Sequence, residues 1–455
     1  MTRKRGLLLN IRTLTYEQYA KFLNDSHMAY SFLQSGDFAR AHEAHETVRY
    51  YAGEEDGKIL YAIYAIFRPA FRLFTYASSP REWVSTSPEL AQDPVKLEQF
   101  VSGMRQTLKK EGALLWLLES SVEYQPHDKN GDVVEGLFCN ESYRDLLAGL
   151  GFEKTKLWRG YDERFQSRWV SWIDLQKNLP EISRGFPIAL DRPHEMYTWP
   201  ELMKEMAGNT RRSFQKADLP YLEYTITRGD ENSDLSEFDT LLEQSAQKHN
   251  FNSGSTAGRQ ELLESFGPHG YVCISALNVP AYRTYLEEKE KEFSEKEKEA
   301  QAVCEAMPNS KKKRNQLLEI QEQKAHNEKE MEALVELRKA EPADRIPLAG
   351  GIFFETPSEM VYLYGGSRPD LARFMGPYVT QKAMIRLALE HNLRRYNFWG
   401  ISGFFKPDEE GYGVFYFKKN LGATAGEYCG EFTMVLHPLL GKTFRNKIRS
   451  GMLEK

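Results

Sequence analysis

The chain has four cysteines in 455 residues: Cys139, Cys273, Cys304 and Cys429, far apart, with no Cys-x-x-Cys pair and no Cys/His spacing. That argues against a structural zinc site and a disulfide framework, and fits a reducing cytosol. No apolar run approaches the roughly 20 residues that a membrane helix needs. The opening MTRKRGLLLNIRTLTYEQ has basic residues followed by only a short apolar patch, less than a secretory core requires. We therefore expect a cytoplasmic protein. An excess of positive charge is missing too. Sixty Lys and Arg against 65 Asp and Glu leave a net charge of −5, so the totals do not describe a general nucleic-acid binder, and only local basic patches stay open. Neither half contains the Arg/Gln-x-x-Gly-x-Gly/Ala turn with which acyl-CoA-dependent acetyltransferases cradle pyrophosphate.

What is present is material for a large core. Aromatics make up 13% and charged residues 27%, the composition of a globular protein. The length exceeds one ordinary core and predicts two or three domains. Between Tyr285 and Glu341 the composition changes: the segment is charged, lacks glycine and is nearly free of aromatics. Leu286, Phe293 and Ala300 stand at heptad spacing, continued by Val303 and Met307. Leu317, Ile320, Met331, Leu334 and Arg338 mark a second seam. Met307-Pro308-Asn309-Ser310 breaks the run, because proline removes a backbone donor and Asn and Ser suit turns and caps. The pattern predicts an antiparallel coiled-coil hairpin over 285–341, each leg about 30–40 Å long. Lys324 and Asn327 fall at seam positions, and Lys311, Lys312, Lys313 and Arg314 form a basic tip. A charged, solvated helix is the plainer reading of the same segment. Strand-like flanks on either side predict that the hairpin enters between two strands of one sheet.

Elsewhere helices and strands alternate, and the halves repeat an order. KLEQFVSGMRQTLKKEGALLWLLESS and ARFMGPYVTQKAMIRLALEHNLRRYNFWGIS each read as an amphipathic helix followed by a strand. An aromatic strand precedes each, and a Leu-Gly pair opening another strand follows each. In the second half VFYF (414–417) reads as a further strand, with Lys418 and Lys419 at its tip on opposite faces.

Five segments resemble the FemABX family, the non-ribosomal aminoacyltransferases that build peptidoglycan cross-bridges. They are SFLQSGDFARAHEA (31–44), NTRRSFQKADLPYLEYTI (209–226), YLYGGSRPDLARFMGPYVTQKAMIRLAL (362–389), YNFWGISG (396–403) and GVFYFKKNLGATAGEYCGEF (413–432). The resemblance implies an α/β fold with mixed sheets, built as two tandem GNAT-like acyltransferase domains. These would be 1–165, completed by about 433–455, and 166–432, with the hairpin 285–341 inserted in the second. It implies transfer of Ala, Ser or Gly from aminoacyl-tRNA to the stem peptide or growing bridge of a peptidoglycan precursor, either lipid II or UDP-MurNAc-pentapeptide. No metal or other cofactor is expected, because the ester is already activated. The sequence departs from the family at two places: His42, with Arg40 nearby, stands where many members have a phosphate-holding lysine, and SSPREW (78–83) replaces a Pro-Arg-Gly-Pro stretch.

The candidate residues follow from these segments. Lys418 would set an ammonium beside the oxyanion or the terminal tRNA phosphate, with Lys419 next to it. Glu119, after the apolar LLWLL, would bind the incoming amine or act as base. Arg211, Arg212 and Lys216 form a basic group in which Arg212 and Lys216, four apart, share a helical face and could clamp a diphosphate. Gln34 and His42 belong to the same substrate group, as do Tyr364 and Gly365, where a missing Cβ lets a ligand approach backbone. The 311–314 tip suits tRNA phosphates. His437 receives no role. The basic, amphipathic 439–455 segment suggests peripheral contact with the inner membrane face or an ordinary surface helix. Two other functions fit the same residues: an aminoacyl-tRNA-dependent transferase acting on a lipid or protein terminus, and a non-catalytic scaffold using the hairpin to recruit partners.

Overall fold

One element order is used twice. The computed structural model describes residues 9–71, 73–231, 234–249 and 253–449. The first half runs β1 (Asn10–Leu14), α1 (Tyr16–Ser26), α2 (Gly36–Glu43), β2 (Thr47–Glu55), β3 (Lys58–Phe71), β4 (Phe74–Ser79), the short β5 (Val84–Ser85) and α3 (Pro94–Lys110). It continues with β6 (Ala113–Glu119), β7 (Glu123–Pro126), α4 (Glu141–Gly149) and β8 (Glu153–Lys154). After β9 (Trp169–Asp174) come three short helices, α5 (Leu179–Ser183), α6 (Trp199–Glu205) and α7 (Gly208–Lys216). The second half then runs β10 (Leu222–Arg228), α8 (Ser236–His249), α9 (Thr256–Phe266), β11 (Gly270–Asn278), α10 (Val279–Ala306), α11 (Lys311–Ala340), β12 (Arg345–Glu355) and β13 (Glu359–Ser367). It closes with α12 (Gly376–Glu390), β14 (Arg395–Gly400), α13 (Tyr412–Asn420), β15 (Thr424–Tyr428), β16 (Glu431–Val435) and α14 (Leu440–Arg449).

The first sheet is ordered β1-β2-β3-β4-β6-β16-β8 and the second β10-β11-β12-β13-β14-β9-β15-β7. Each is antiparallel except for one parallel pair, β4/β6 in the first and β13/β14 in the second. These are two tandem α/β units with mixed sheets. They interlock, because β16 from the C-terminal segment lies between β6 and β8, while β7 from the first half edges the second sheet.

Local chemistry accounts for the pieces that frame the site. Asp93 caps α3 by accepting from the Val95 and Lys96 amides, and Pro94 starts it. Its Leu97, Phe100, Val101, Met104 and Leu108 recur every three or four residues and are buried. β6 is buried at every position, ALLWLLE, which explains its unbroken apolar run. Phe444 and Ile448 of α14 pack with Leu115 of that strand. The apolar face that suggested membrane contact is thus spent on the core, while 450–455 lie outside the described residues. Among the described residues no helix is long and apolar enough to cross a membrane.

The hairpin enters between β11 and β12, where the first half joins β2 to β3 through Asp56 and Gly57, both at positive φ. Its legs are antiparallel. Tyr282 donates to Glu330, Asn327 to the Leu286 carbonyl, and Lys324 to Glu297. The polar seam residues therefore fix the register rather than weaken the pairing. α10 begins at Val279, earlier than the charge change at 285 implied, because Val279, Tyr282 and Leu286 bury against Leu371 and Phe374.

One element differs in kind. VFYF is part of helix α13, not a strand, and follows Gly411 at φ 74°. Its buried positions are Phe415 and Lys418, three residues apart, while Val414 and Tyr416 are exposed, so burial follows the helical spacing. A short apolar run does not distinguish the two by periodicity.

Candidate active site

The site grows from an irregularity in β14. Its parallel pairing with β13 stops at Asn397, and its register with β9 shifts between Asn397 and Gly400. Trp399 sits at φ 64°, a left-handed conformation uncommon for a bulky residue. Four hydrogen bonds brace this stretch. Asn397 accepts from the Trp399 amide at 2.8 Å and donates to Glu359 at 2.9 Å. Lys418 Nζ donates to the carbonyls of Trp399 (3.2 Å) and Gly400 (2.7 Å). Lys418 is thus a buried helix residue, not the exposed tip of a strand, and burial pulls its ammonium down to about 7. Lys419 turns about 100° away, as adjacent helical residues do, and its ammonium lies 5.9 Å from the Phe415 ring.

Across the bulge runs the segment joining the two units. A Cβ on Gly400 would meet Ser167 Oγ at 2.5 Å, so the glycine permits this close approach. The Gln166 amide donates to Glu119 at the end of β6 (2.6 Å). Glu119 is buried, not solvent-facing, and burial lifts its carboxyl to about 7 against the pull of Arg81. A relay of contacts thus links Glu119 to Lys418, 299 positions apart in sequence: Glu119 accepts from Gln166, the next residue Ser167 packs on Gly400, and Lys418 donates to the Gly400 carbonyl.

Arg81 ties the two sides. It is 2% exposed, donates to the carbonyls of Ser120 (3.1 Å) and Ser167 (2.7 Å), and lies 3.7 Å over the Tyr428 ring and 5.7 Å from Trp399. Arg81 and Glu82 are successive residues at positive φ, 59° and 54°. Gln34 holds this turn, its amide donating to the Arg81 and Trp83 carbonyls. Glu82, raised to about 7 by burial, accepts from Ser121 and Tyr143. The sequence reading missed Arg81 and Glu82 as site residues, although SSPREW had already stood out; it also missed Asn397, a polar residue inside an aromatic strand.

Glu119 opens on a cavity of about 310 Å³ in the first unit, lined also by His42, Arg68, Tyr76, Arg164 and Gln166. His42 Nδ1 is 2.8 Å from Glu46, and Arg68 donates to the same carboxylate at 2.6 Å. Burial alone would raise Glu46, but these two neighbours bring it to about 2. The structure thus brings His42 and Glu119 into one cavity, with Arg68 and Arg164 as cations that the sequence did not single out.

The other candidates lie elsewhere. Arg211, Arg212 and Lys216 are exposed on α7, outside this cavity, and Arg211 is tied to the Lys204 and Met206 carbonyls. Tyr364 and Gly365 are inside β13. A Cβ on Gly365 would collide with the Tyr362 hydroxyl, and one on Gly366 would meet Leu242 N at 2.5 Å. The glycines serve packing of the ring and of α8 rather than ligand approach. Tyr364 lies 6.0 Å from Arg259, which is buried on Asp239. Lys311, Lys312, Lys313 and Arg314 form the first turn of α11 at the hairpin tip, with no ion pair among the described residues. No cluster of three or more His, Cys, Asp or Glu side chains among the described residues could hold a metal.

The model of the FemAB family matches residues 14–186 and 194–446. Aminoacyltransferase FemA of Staphylococcus aureus strain bovine RF122 / ET3-1 is 27% identical over 365 residues, 80% of this chain and 80% of its own. FemA of strain MW2 matches to the same extent. Among solved structures, the crystal structure of FemX superposes with a TM-score of 0.72 at 20% identity, over 96% of this chain and 99% of that one, a likeness of fold. The chain belongs to the FemAB family.

Proposed function

We propose that the protein is an aminoacyltransferase that moves alanine, serine or glycine from aminoacyl-tRNA to an amine of a peptidoglycan precursor, on its stem peptide or growing bridge. The observation that carries this reading is the buried carboxyl of Glu119 in the cavity that holds His42, linked through Gln166–Ser167 and Gly400 to the buried ammonium of Lys418. The amine attacks the ester carbonyl and gives its proton to Glu119, whose carboxyl is poised near neutrality. The tetrahedral oxyanion then collapses. The amide bond forms, the ester bond breaks, and the departing ribose oxygen takes the proton. Lys418 holds the Trp399–Gly400 carbonyls and brings positive charge to the edge where the oxyanion develops.

The first-unit cavity, with Arg68 and Arg164, receives the precursor, lipid-linked or nucleotide-linked. Arg212 and Lys216 are a second place for phosphate, and the 311–314 tip meets tRNA phosphates. With a lipid-linked acceptor the work is done at the inner face of the plasma membrane. The test is incubation of the protein with mixed aminoacyl-tRNAs and, separately, lipid-linked and nucleotide-linked muropeptide, followed by mass spectrometry with and without RNase. An RNase-sensitive mass gain is expected. No gain on either acceptor, or on acceptors already carrying a first amino acid, with folded protein, would remove the proposal.

A further inference from the structure

A second cavity, of about 100 Å³ and partly open, lies between the two units and takes no part in the reaction above. Its walls come from both halves and carry charges of both signs, including Glu123, Glu359, Arg394 and Arg395. Glu123 is 7% exposed, and its carboxyl has no hydrogen-bond or ion-pair partner among the described residues. Arg395 uses its Nε on Asp174 at 2.7 Å and lies 3.8 Å over Trp172, and among the described residues its outer nitrogens have no hydrogen-bond partner. Glu123 and Arg395 sense each other electrostatically yet form no ion pair. Arg394 adds a second guanidinium, anchored on the Leu190 carbonyl, whose Nη1 is buried and has no partner among the described residues. Ser31, Ser121 and Ser358 supply neutral hydroxyls.

A buried acid and a guanidinium held apart in one cavity, each with bonding capacity left over, cost free energy unless something joins them. A ligand that joins them must carry a cation and an anion a few bonds apart. The space is small, about two thirds of the ~150 Å³ that admits benzene, which limits it to roughly six heavy atoms. We propose that this interdomain cavity binds a small free α-amino acid as its zwitterion, with the ammonium on Glu123 and the carboxylate on Arg395.

The location gives such a ligand a route to the site. Glu359 in the same wall accepts from Asn397, which in turn fixes the Trp399 amide, and Lys418 holds the Trp399 carbonyl. Tyr428, another wall residue, stacks on Arg81. The binding claim itself does not depend on the transfer reaction and is tested without it.

Glycine, L-alanine and L-serine are titrated into the intact protein by calorimetry and by ligand-observed NMR. Acetate, methylammonium and the amino-acid methyl esters serve as probes bearing one charge each. At least one free amino acid is expected to bind about tenfold or more tightly than every single-charge probe. Glu123→Gln, an isosteric change, is expected to lose that preference while leaving acetate binding unaltered. Arg395→Lys keeps a cation for Asp174 and is expected to weaken the amino acid through loss of the planar fork. The proposal is overturned if no amino acid binds, if acetate or a methyl ester binds as well as the free acid, or if Glu123→Gln binds the amino acid unchanged.

Discussion

Lys418 gives a prediction that can be worked from the structure. Burial moves its ammonium from an ordinary 10.5 to about 7, which at ~1.4 kcal/mol per pH unit is about 5 kcal/mol of preference against the charged form. The sign follows from proton counting. Between pH 7 and 10.5 the unfolded chain keeps a proton that the folded chain has released, so folding becomes more favourable as pH rises through this window. Below pH 7 both states hold the proton and the dependence vanishes. Raising the pH from 7 to 9.5 should therefore add up to about 3 kcal/mol to the wild type from this one group. Lys418→Met has no such group and lacks that increment. Urea denaturation of both proteins at pH 6, 7, 8 and 9.5 measures it as a difference of differences, which cancels the other titrating groups. A wild-type-minus-variant stability that stays flat over this range would refute the buried, carbonyl-bound Lys418.

Four further outcomes follow. Glu119, raised from 4.5 to about 7, holds its proton longer in the folded state, so wild-type stability should fall by up to about 3 kcal/mol between pH 4.5 and 7. Glu119→Gln should lose that fall, seen by denaturation, while transfer drops about a hundredfold or more. Gly366→Ala drives a Cβ to within 2.5 Å of the Leu242 backbone, and should cost about 1–3 kcal/mol, read as a lowered Tm. Replacing Lys311, Lys312, Lys313 and Arg314 with serine should raise KM for aminoacyl-tRNA and flatten its salt dependence, with Tm unchanged, because the tip is exposed and remote from the core. Arg81→Met should cost about 3 kcal/mol or more and depress transfer, since it strips the Ser120 and Ser167 carbonyls of their donor; a variant with wild-type Tm and rate would show that the hub is dispensable.

Much of the architecture could be read from pattern. The repeated helix–strand order became two sheets with matching parallel pairs, because α3 and α12 carry apolar residues at helical spacing and the strands that follow them, β6 and β14, carry apolar or aromatic runs. The Pro308 break and the uncharged heptad positions placed a helical hairpin between two strands. Lys324 and Asn327, unexpected in an apolar seam, were the residues that set its register.

The site was harder. VFYF is apolar on every side in sequence, and only tertiary burial of Phe415 decides that it is helical. Glu119 could be flagged, but the groups that face its carboxyl, Arg81 and the Gln166 amide, are not near it in the chain. Arg81 looked like part of an altered turn, because a guanidinium satisfied by carbonyls 39 and 86 residues away leaves no local trace. The interlocking of β7 and β16 is likewise long-range: β7 edges the second sheet beside β15, and β16 inserts between β6 and β8 of the first.

The most direct test of the central claim is the pH profile of kcat/KM for transfer from the aminoacyl-tRNA that the pooled assay identifies. With Glu119 as proton acceptor and Lys418 as a required ammonium, both poised near 7, the account predicts a bell about neutrality. Its ascending limb should disappear in Glu119→Gln and its descending limb in Lys418→Met. Profiles that keep both limbs in both variants would contradict it.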